Sequence, residues 1–367
     1  MVTTQHSLTT DTSSKLTQLQ QDIINNFQKG FPLASRPYLA IADKLKCNHN
    51  ELSEQAVFTA LSDLNYLGVT SRIGPVFDHK KAGASTLAAL AVDEADLDKI
   101  ASIVNQFEQV NHNYARSSHF DKTNYNLWFV VTASDPVALN NTLTRIELLT
   151  GLSVLVLPME ASYHLDLAFA INTTGNASPI VNDAKSIEAT NKEVEVLSEI
   201  QQSQLRKLIE TGLSKLLQPY EKIAQEINAT EQQVLAQIAL WQKTGLIRRF
   251  GLVVKHRKLG YNANAMVVWN IDSDKVDTVA AKLAKRPEVS LCYRRPRRLP
   301  DWPYNLFCMI HGTDKDLVLQ QIKEITEQLS LTNIEKDILF SFKAYKQKGA
   351  SYLKSKKLQV KNEAAHG

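Results

Sequence analysis

Apolar residues recur at helical spacing at Val57, Leu61 and Leu64, and again at Val234, Ile238 and Trp241. Ahead of each run the pattern predicts a shorter amphipathic helix, over 37–45 and over 219–227. Thr230 with Gln233 fits a capping box at the start of the second long helix. Gly68 and Gly245 stop the two long helices, and residues 246–250 read as a strand. Two short helices, a tight connection and a β-wing make a winged helix-turn-helix. The pattern then alternates between strands and helices. Strands are predicted at 262–271, 289–295, 304–311 and 331–340, with helices at 273–285 and 313–328. The earlier part of the chain matches, with strands at 84–92, 110–116, 125–132 and 154–164 and helices at 97–107 and 136–149. The order β-α-β-β-α-β is the ferredoxin-like pattern.

The chain therefore repeats itself. Aligning Arg72 with Arg249 also aligns His79 with His256 and Gly83 with Gly260. Upstream, Pro37 and Tyr38 correspond to Pro219 and Tyr220. Downstream, Tyr114 and Arg116 correspond to Tyr293 and Arg295. The expected fold is α+β, a tandem duplication in which each half is a winged helix-turn-helix followed by a ferredoxin-like domain. The boundaries are a disordered tail at 1–18, helix-turn-helix units at 19–75 and 199–250, and ferredoxin-like domains at 76–170 and 251–345. A linker at 171–198 and a polar tail at 346–367 complete the chain.

Composition narrows the class. Of 367 residues, 44% are hydrophobic and 22% charged, an ordinary globular balance, and the net charge of +4 is far from that of a non-specific nucleic-acid binder. No apolar run is long enough to span a bilayer, and the N-terminus lacks a secretory signal. Cys47, Cys292 and Cys308 have neither the number nor the spacing for a disulfide framework or a zinc site, which fits reduced thiols in a cytoplasm.

Winged helix-turn-helix plus ferredoxin-like domain resembles the Lrp/AsnC family of transcription regulators. The recognition helices argue against DNA as the partner. No Lys or Arg occurs between Lys46 and Arg72, and the second helix offers mainly Gln, with Lys243 at its end. Phosphate contacts need cations. The cations lie elsewhere: Arg294, Arg295, Arg297 and Arg298 fall within five residues, beside Tyr293, Trp302 and Tyr304, with Pro296, Pro300 and Pro303 stiffening the run. Lys255, His256 and Arg257 form a second basic run. Arginine forks beside aromatic faces suit a planar ligand with several carboxylates, with single-stranded nucleic acid as the rival.

The residues then become specific. Phe31 to Leu33 with Arg36 and Pro37, the run Gly74 to Phe77, His112 to Tyr114 and Tyr125 to Phe129 resemble one subunit of siroheme decarboxylase. The run from Leu291 to Gly312 resembles the partner subunit. The chain is thus similar to the fused form of that family, associated with haem d1 biosynthesis. The resemblance implies removal of the C12 and C18 acetate carboxyls of siroheme to give 12,18-didecarboxysiroheme. It implies siroheme as substrate, no dedicated cofactor and no metal of the protein's own, and a two-part assembly that can dimerise further. Such a reaction needs carboxylates held in place and a proton delivered to the methylene carbon. Under the resemblance the proton donors are His112 and His256 first, then His311 and His119, with His79 repeating the position of His256. One of these can instead ligate the substrate iron. Tyr114 and Tyr293 steer a carboxylate or donate a proton. Arg116, Lys255, Arg257, Arg294, Arg295, Arg297 and Arg298 hold carboxylates, and Trp302 packs on the ring. A DNA-binding regulator and a tetrapyrrole carrier without chemistry remain the competing classes.

Overall fold

The structure, a computed structural model, describes residues 15–165, 169, 171, 196–350 and 352, without the side chains of 79, 80 and 165. The proposed linker core at 172–195 and most of both proposed tails lie outside the described residues. The N-terminal tail is nevertheless shorter than the sequence suggests. Leu16 is buried, and Thr17 caps a helix α1, Gln18–Phe27, through a complete capping box. It is followed by α2, Pro37–Leu45, α3, Glu54–Tyr66, and the strand β1, Thr70–Phe77. The second copy repeats this with α7, Glu199–Thr211, α8, Pro219–Glu226, α9, Glu231–Lys243, and β7, Ile247–Val254. Helices α1 and α7 escape the periodicity argument because each buries only a few apolar side chains, such as Ile23, Ile24 and Phe27 in α1.

The strand expected to form a wing within each copy pairs with its counterpart in the other. β1 and β7 are antiparallel, and Gly74 sits opposite Gly251, its own repeat equivalent. This point marks a pseudo-two-fold axis. The first helices cross it. A Cβ at Gly251 would meet the Gln28 carbonyl oxygen at 2.4 Å, and one at Gly74 would meet that of Ile209 at 3.0 Å. Phe31 N donates to Phe250 O and Leu213 N to Ile73 O, so each copy's first helix ends on the other copy's strand. Both helix-turn-helix units share one apolar core.

In the first copy, α4, His79–Ala82, leads into β2, Ala84–Ala91, α5, Leu97–Asn105, β3, Val110–Ser118, β4, Tyr125–Ala133, α6, Pro136–Thr150, β5, Leu155–Pro158, and β6, Ala161–Leu165. The second copy gives β8, Ala263–Trp269, α10, Val276–Leu283, β9, Val289–Arg294, β10, Leu306–Gly312, α11, Lys315–Gln328, and β11, Lys336–Gln347. β11 runs past 345, so the polar tail begins later than the sequence suggests. Tyr352 beyond it is buried.

Nine strands form one sheet in the order β5-β2-β4-β3-β11-β8-β10-β9-β6. The copies join where β11 pairs with β3 and where β6 pairs with β9. β5 and β6 occupy opposite edges of the sheet yet are separated by only Met159 and Glu160, so the sheet curls until its edges belong to one stretch of chain. Helices cover the outside over two cores. A third core, with Trp128, Leu157, Met266, Trp302 and Phe307, fills the space between the two halves. β8 is buried at every residue because both of its faces are covered. No helix among the described residues is long and apolar enough to cross a membrane.

Candidate active site

Alternation along β3 sends Asn111, Asn113 and Ala115 one way and His112, Tyr114 and Arg116 the other. The second set shares a face: the His112 and Tyr114 rings stack 6.0 Å apart, and the Arg116 guanidinium lies 5.7 Å from the Tyr114 ring. Arg116 is fixed by donating to Leu339 O at 3.0 Å. The short turn after β7 brings His256 and Arg257 to the same place. Arg257 donates to Ser341 O at 3.0 Å and Oγ at 2.7 Å, so both arginines are braced on β11. His311, at the end of β10, sits with its ring 5.1 Å from that of His256. Phe169 covers both rings, at 5.2 and 5.1 Å. Asn264 Nδ2 lies 3.1 Å from His256 Nε2.

The electrostatics follow from the crowding. Each histidine keeps a small solvent-facing edge, yet the surrounding protein disfavours its charged form. Desolvation, then Arg257, His112 and Arg116, pushes His256 down to about 3. Desolvation and Arg72 push His112 down to about 4. His311 is lowered by desolvation, His256 and Arg116. Burial lowers Arg116 to about 10, which leaves it charged at neutral pH. The empty-handed atoms point to a ligand. Arg72 Nε, Arg257 Nε and Asn264 Oδ1 are buried with no hydrogen-bond partner among the described residues. A cleft of about 640 Å³ opens at His311 and Phe169, lined also by His164, Tyr261 and Ser290 among others.

The duplication supplies an internal control. Leu90 pairs with Leu127 as Trp269 pairs with Leu306, so the copies overlay residue by residue. At the counterpart position Tyr293 and Arg295 repeat Tyr114 and Arg116, with the guanidinium 5.6 Å from the ring. Leu291 replaces His112, and Thr132 replaces His311. The side chain of His79 lies outside the described residues. Here Asp78 pairs with Arg248 and Glu210 with Arg206, whereas Lys255 and Gln28 hold the corresponding places on the histidine side. Tyr352 takes the position of Phe169: their backbone N–H groups donate to Glu210 and Gln28 respectively.

The candidate residues thus divide. His112, Tyr114, Arg116, His256, Arg257 and His311 come together. Tyr293 and Arg295 come together at the counterpart position, where Arg295 also donates to Leu157 O. The rest of the arginine run does not converge. Arg294 pairs on the surface with Glu160 and Asp277. Arg297 is occupied in holding its own loop, donating to Asn270 Oδ1 and Pro303 O. Arg298 donates to Val156 O. Trp302 is fully buried, 5.1 Å from the Trp128 ring, and packs the core between the halves, so no face is left for a ligand. The arginine-run expectation is corrected to this extent: past the end of β9 at Arg294 the chain leaves the strand for a loop, and the four guanidinium groups are taken up by different partners. His119 is exposed and meets Phe120 edge-on beyond the end of β3, and Lys255 joins the site only through its position before His256. Sequence reasoning missed Arg72, Asn264, Ser290, Ser341 and Phe169. Only Arg72 carried a signal, as an anchor of the repeat. The recognition helices stay poor in cations: α3 exposes Gln55, Thr59 and Asp63, and Arg36 is taken up by Glu54.

Residues 20–69 match the siroheme decarboxylase NirDL-like HTH domain family, and residues 81–164 and 258–346 match the AsnC-like ligand binding domain family. The siroheme decarboxylase NirDL subunit of Paracoccus pantotrophus is 34% identical over 330 residues, covering 89% of this chain and 95% of that one. The siroheme decarboxylase NirL subunit of Stutzerimonas stutzeri is 47% identical over 156 residues, 42% of this chain and 92% of that subunit. A crystal structure of the siroheme decarboxylase NirDL in co-complex with an iron-uroporphyrin III analogue superposes with a TM-score of 0.62 at 22% identity, covering 91% of this chain and 94% of that one.

Proposed function

We propose, on the premise that this chain belongs to the siroheme decarboxylase family, that it removes the acetate carboxyls at C12 and C18 of siroheme in haem d1 biosynthesis. It is a non-oxidative carbon–carbon lyase with siroheme as substrate, no dedicated cofactor and a cytoplasmic place of work. The observation that carries the reading is the joint presence of three histidines, Arg116 and Arg257, and the unpartnered guanidinium nitrogens of Arg72 and Arg257, with a cleft opening at His311. A ring bearing eight carboxylates satisfies those donors.

Arg116, Arg257 and Arg72 hold carboxylates that are not lost, since firm pairing of the departing one would oppose its loss. In the chemical step the bond from methylene carbon to carboxylate breaks, carbon dioxide leaves, and the electron pair is spread over the macrocycle. A proton then reaches the methylene carbon from an imidazolium. The depressed histidines become competent as substrate binds: its carboxylates cancel the repulsion from Arg116 and Arg257 and favour the charged rings. Tyr114 steers a carboxylate beside His112. The counterpart position, with Leu291 for His112 and its cations paired to Asp78 and Glu210, carries no turnover, so both carboxyls are lost at one site. DNA is not a partner.

Single-turnover assays with siroheme under anaerobic conditions test this. Replacing His112 or His256 by Ala is expected to slow decarboxylation about a hundredfold, while Tyr293→Phe leaves the chemical step within a fewfold of wild type. Equal losses in all three variants would assign chemistry to both positions.

A further inference from the structure

Ser290 lies at a β-bulge. Met309 pairs with Leu291 and Ile310 with Val289, so Ser290 is the extra residue of β9. A bulge re-aims its side chain, and here it aims the hydroxyl at two groups. Ser290 Oγ lies 2.9 Å from Met309 O and 2.7 Å from His311 Nδ1. A serine hydroxyl has one hydrogen, and a carbonyl oxygen only accepts. The hydroxyl therefore donates to Met309 O, and its lone pair accepts from His311 Nδ1–H. The hydrogen bond made by one ring nitrogen decides which tautomer the imidazole adopts. Nε2, at the far end of the ring, has no hydrogen-bond partner among the described residues, and the ring lines the cleft together with Ser290. His256, Phe169 and Arg116 face it, and His164, Tyr261, Lys285, Arg286 and Glu288 line the same cleft.

The other copy shows what this pair adds. Its bulge falls at Asn111, where Val110 pairs with Val131 and His112 with Val130. Asn111 Nδ2 donates to Thr132 Oγ1 at 2.8 Å. The same cross-strand link is thus made there without an imidazole or any other side chain that exchanges a proton near neutral pH.

We propose that Ser290 is a positioning residue that holds His311 as the Nδ1–H tautomer, so that His311 receives a proton at Nε2 and passes it to the substrate's methylene carbon. The assignment rests on the cleft being the decarboxylation site. The proton leaves the Nε2 of the imidazolium once carbon dioxide has departed, and solvent restores it.

Two measurements on the full chain test it. With ¹⁵N-labelled histidine, the resonances lost in His311→Gln identify His311. In the wild type they are expected to report Nδ1–H, and in Ser290→Ala to move towards the Nε2–H pattern. For turnover, Ser290→Ala is expected to lower kcat about tenfold, the weight of one hydrogen bond, and to shift the pH profile of kcat. KM for siroheme and affinity for iron-uroporphyrin III should stay within twofold, and Ser290→Thr should recover most of the rate. A wild-type Nε2–H signature, an unchanged kcat in Ser290→Ala, or a joint loss of binding and rate that Ser290→Thr does not restore would each overturn the assignment. If the wild type binds siroheme but does not turn it over, the decarboxylase reading fails, while the tautomer measurement still decides what Ser290 does.

Discussion

Three histidines kept neutral by burial and by nearby arginines give the site a definite pH behaviour. In the unfolded chain they titrate near 6.5; in the fold His112 and His256 titrate at about 4 and about 3. Between those limits the unfolded state binds more protons, so stability falls as pH drops from about 6.5 towards 4. The loss should reach on the order of a few kcal/mol. Thermal melts of the free protein across this range should show a falling Tm, and His256→Gln should flatten the slope. An unchanged slope in that variant would remove His256 as a source. The same scale separates binding from packing. Arg257→Ala should weaken siroheme affinity at least tenfold, with only the smaller loss of Tm expected from its two hydrogen bonds to Ser341. Trp302→Ala should instead cost about 3–5 kcal/mol of stability, as expected of a side chain buried against Trp128. Calorimetry beside binding titrations distinguishes the two. The sequence marks both residues equally as cationic or aromatic candidates. Which face of a strand each leaves, and what already occupies it, is a matter of register that composition does not carry.

Elements show where reading from sequence works and where it stops. A capping box, helix-ending glycines and the switch from helical to alternating period locate α2, α3, α8, α9 and most elements of the ferredoxin-like halves to within a few residues, but the strand expected at 331–340 is β11 at Lys336–Gln347, and the one expected at 154–164 is split into β5 and β6. The Thr230–Gln233 box forms as expected. What stays hidden is pairing between copies: β1 with β7, β3 with β11 and β6 with β9. A strand's own sequence does not name its neighbour. The glycines opposite each other in β1 and β7 do carry a consequence. Gly251→Ala places a methyl group against the Gln28 backbone at 2.4 Å, while Gly74→Ala meets Ile209 O at 3.0 Å. The first substitution should therefore destabilise more than the second, by about 1–3 kcal/mol, the usual cost of overpacking. Denaturant melts that rank them the other way would contradict the crossing of α1 over β7.

At the scale of the whole molecule, the pseudo-two-fold makes one chain do the work of two subunits. Each half supplies a strand that pairs with the other half, a crossing helix and part of the shared core, so neither half has its complement without the other. Chains cut between 172 and 195 and produced together should assemble one to one and keep activity, whereas either half alone should fail to give a stable monomer; size-exclusion chromatography with light scattering checks this. The symmetry of the fold is not kept by the chemistry. Histidines gather on one side, and carboxylates neutralise the cations on the other. The internal repeat was legible because it lies in the order of residues, while the asymmetry became visible only when the two positions were overlaid. The central claim is that this one asymmetric chain removes two carboxyls from siroheme. Anaerobic incubation of the purified protein with siroheme, followed by mass spectrometry of the tetrapyrrole, tests it most directly. The account predicts a product lighter by two carbon dioxide units, with a singly decarboxylated species rising and falling before it. Siroheme recovered bound but unchanged would contradict it.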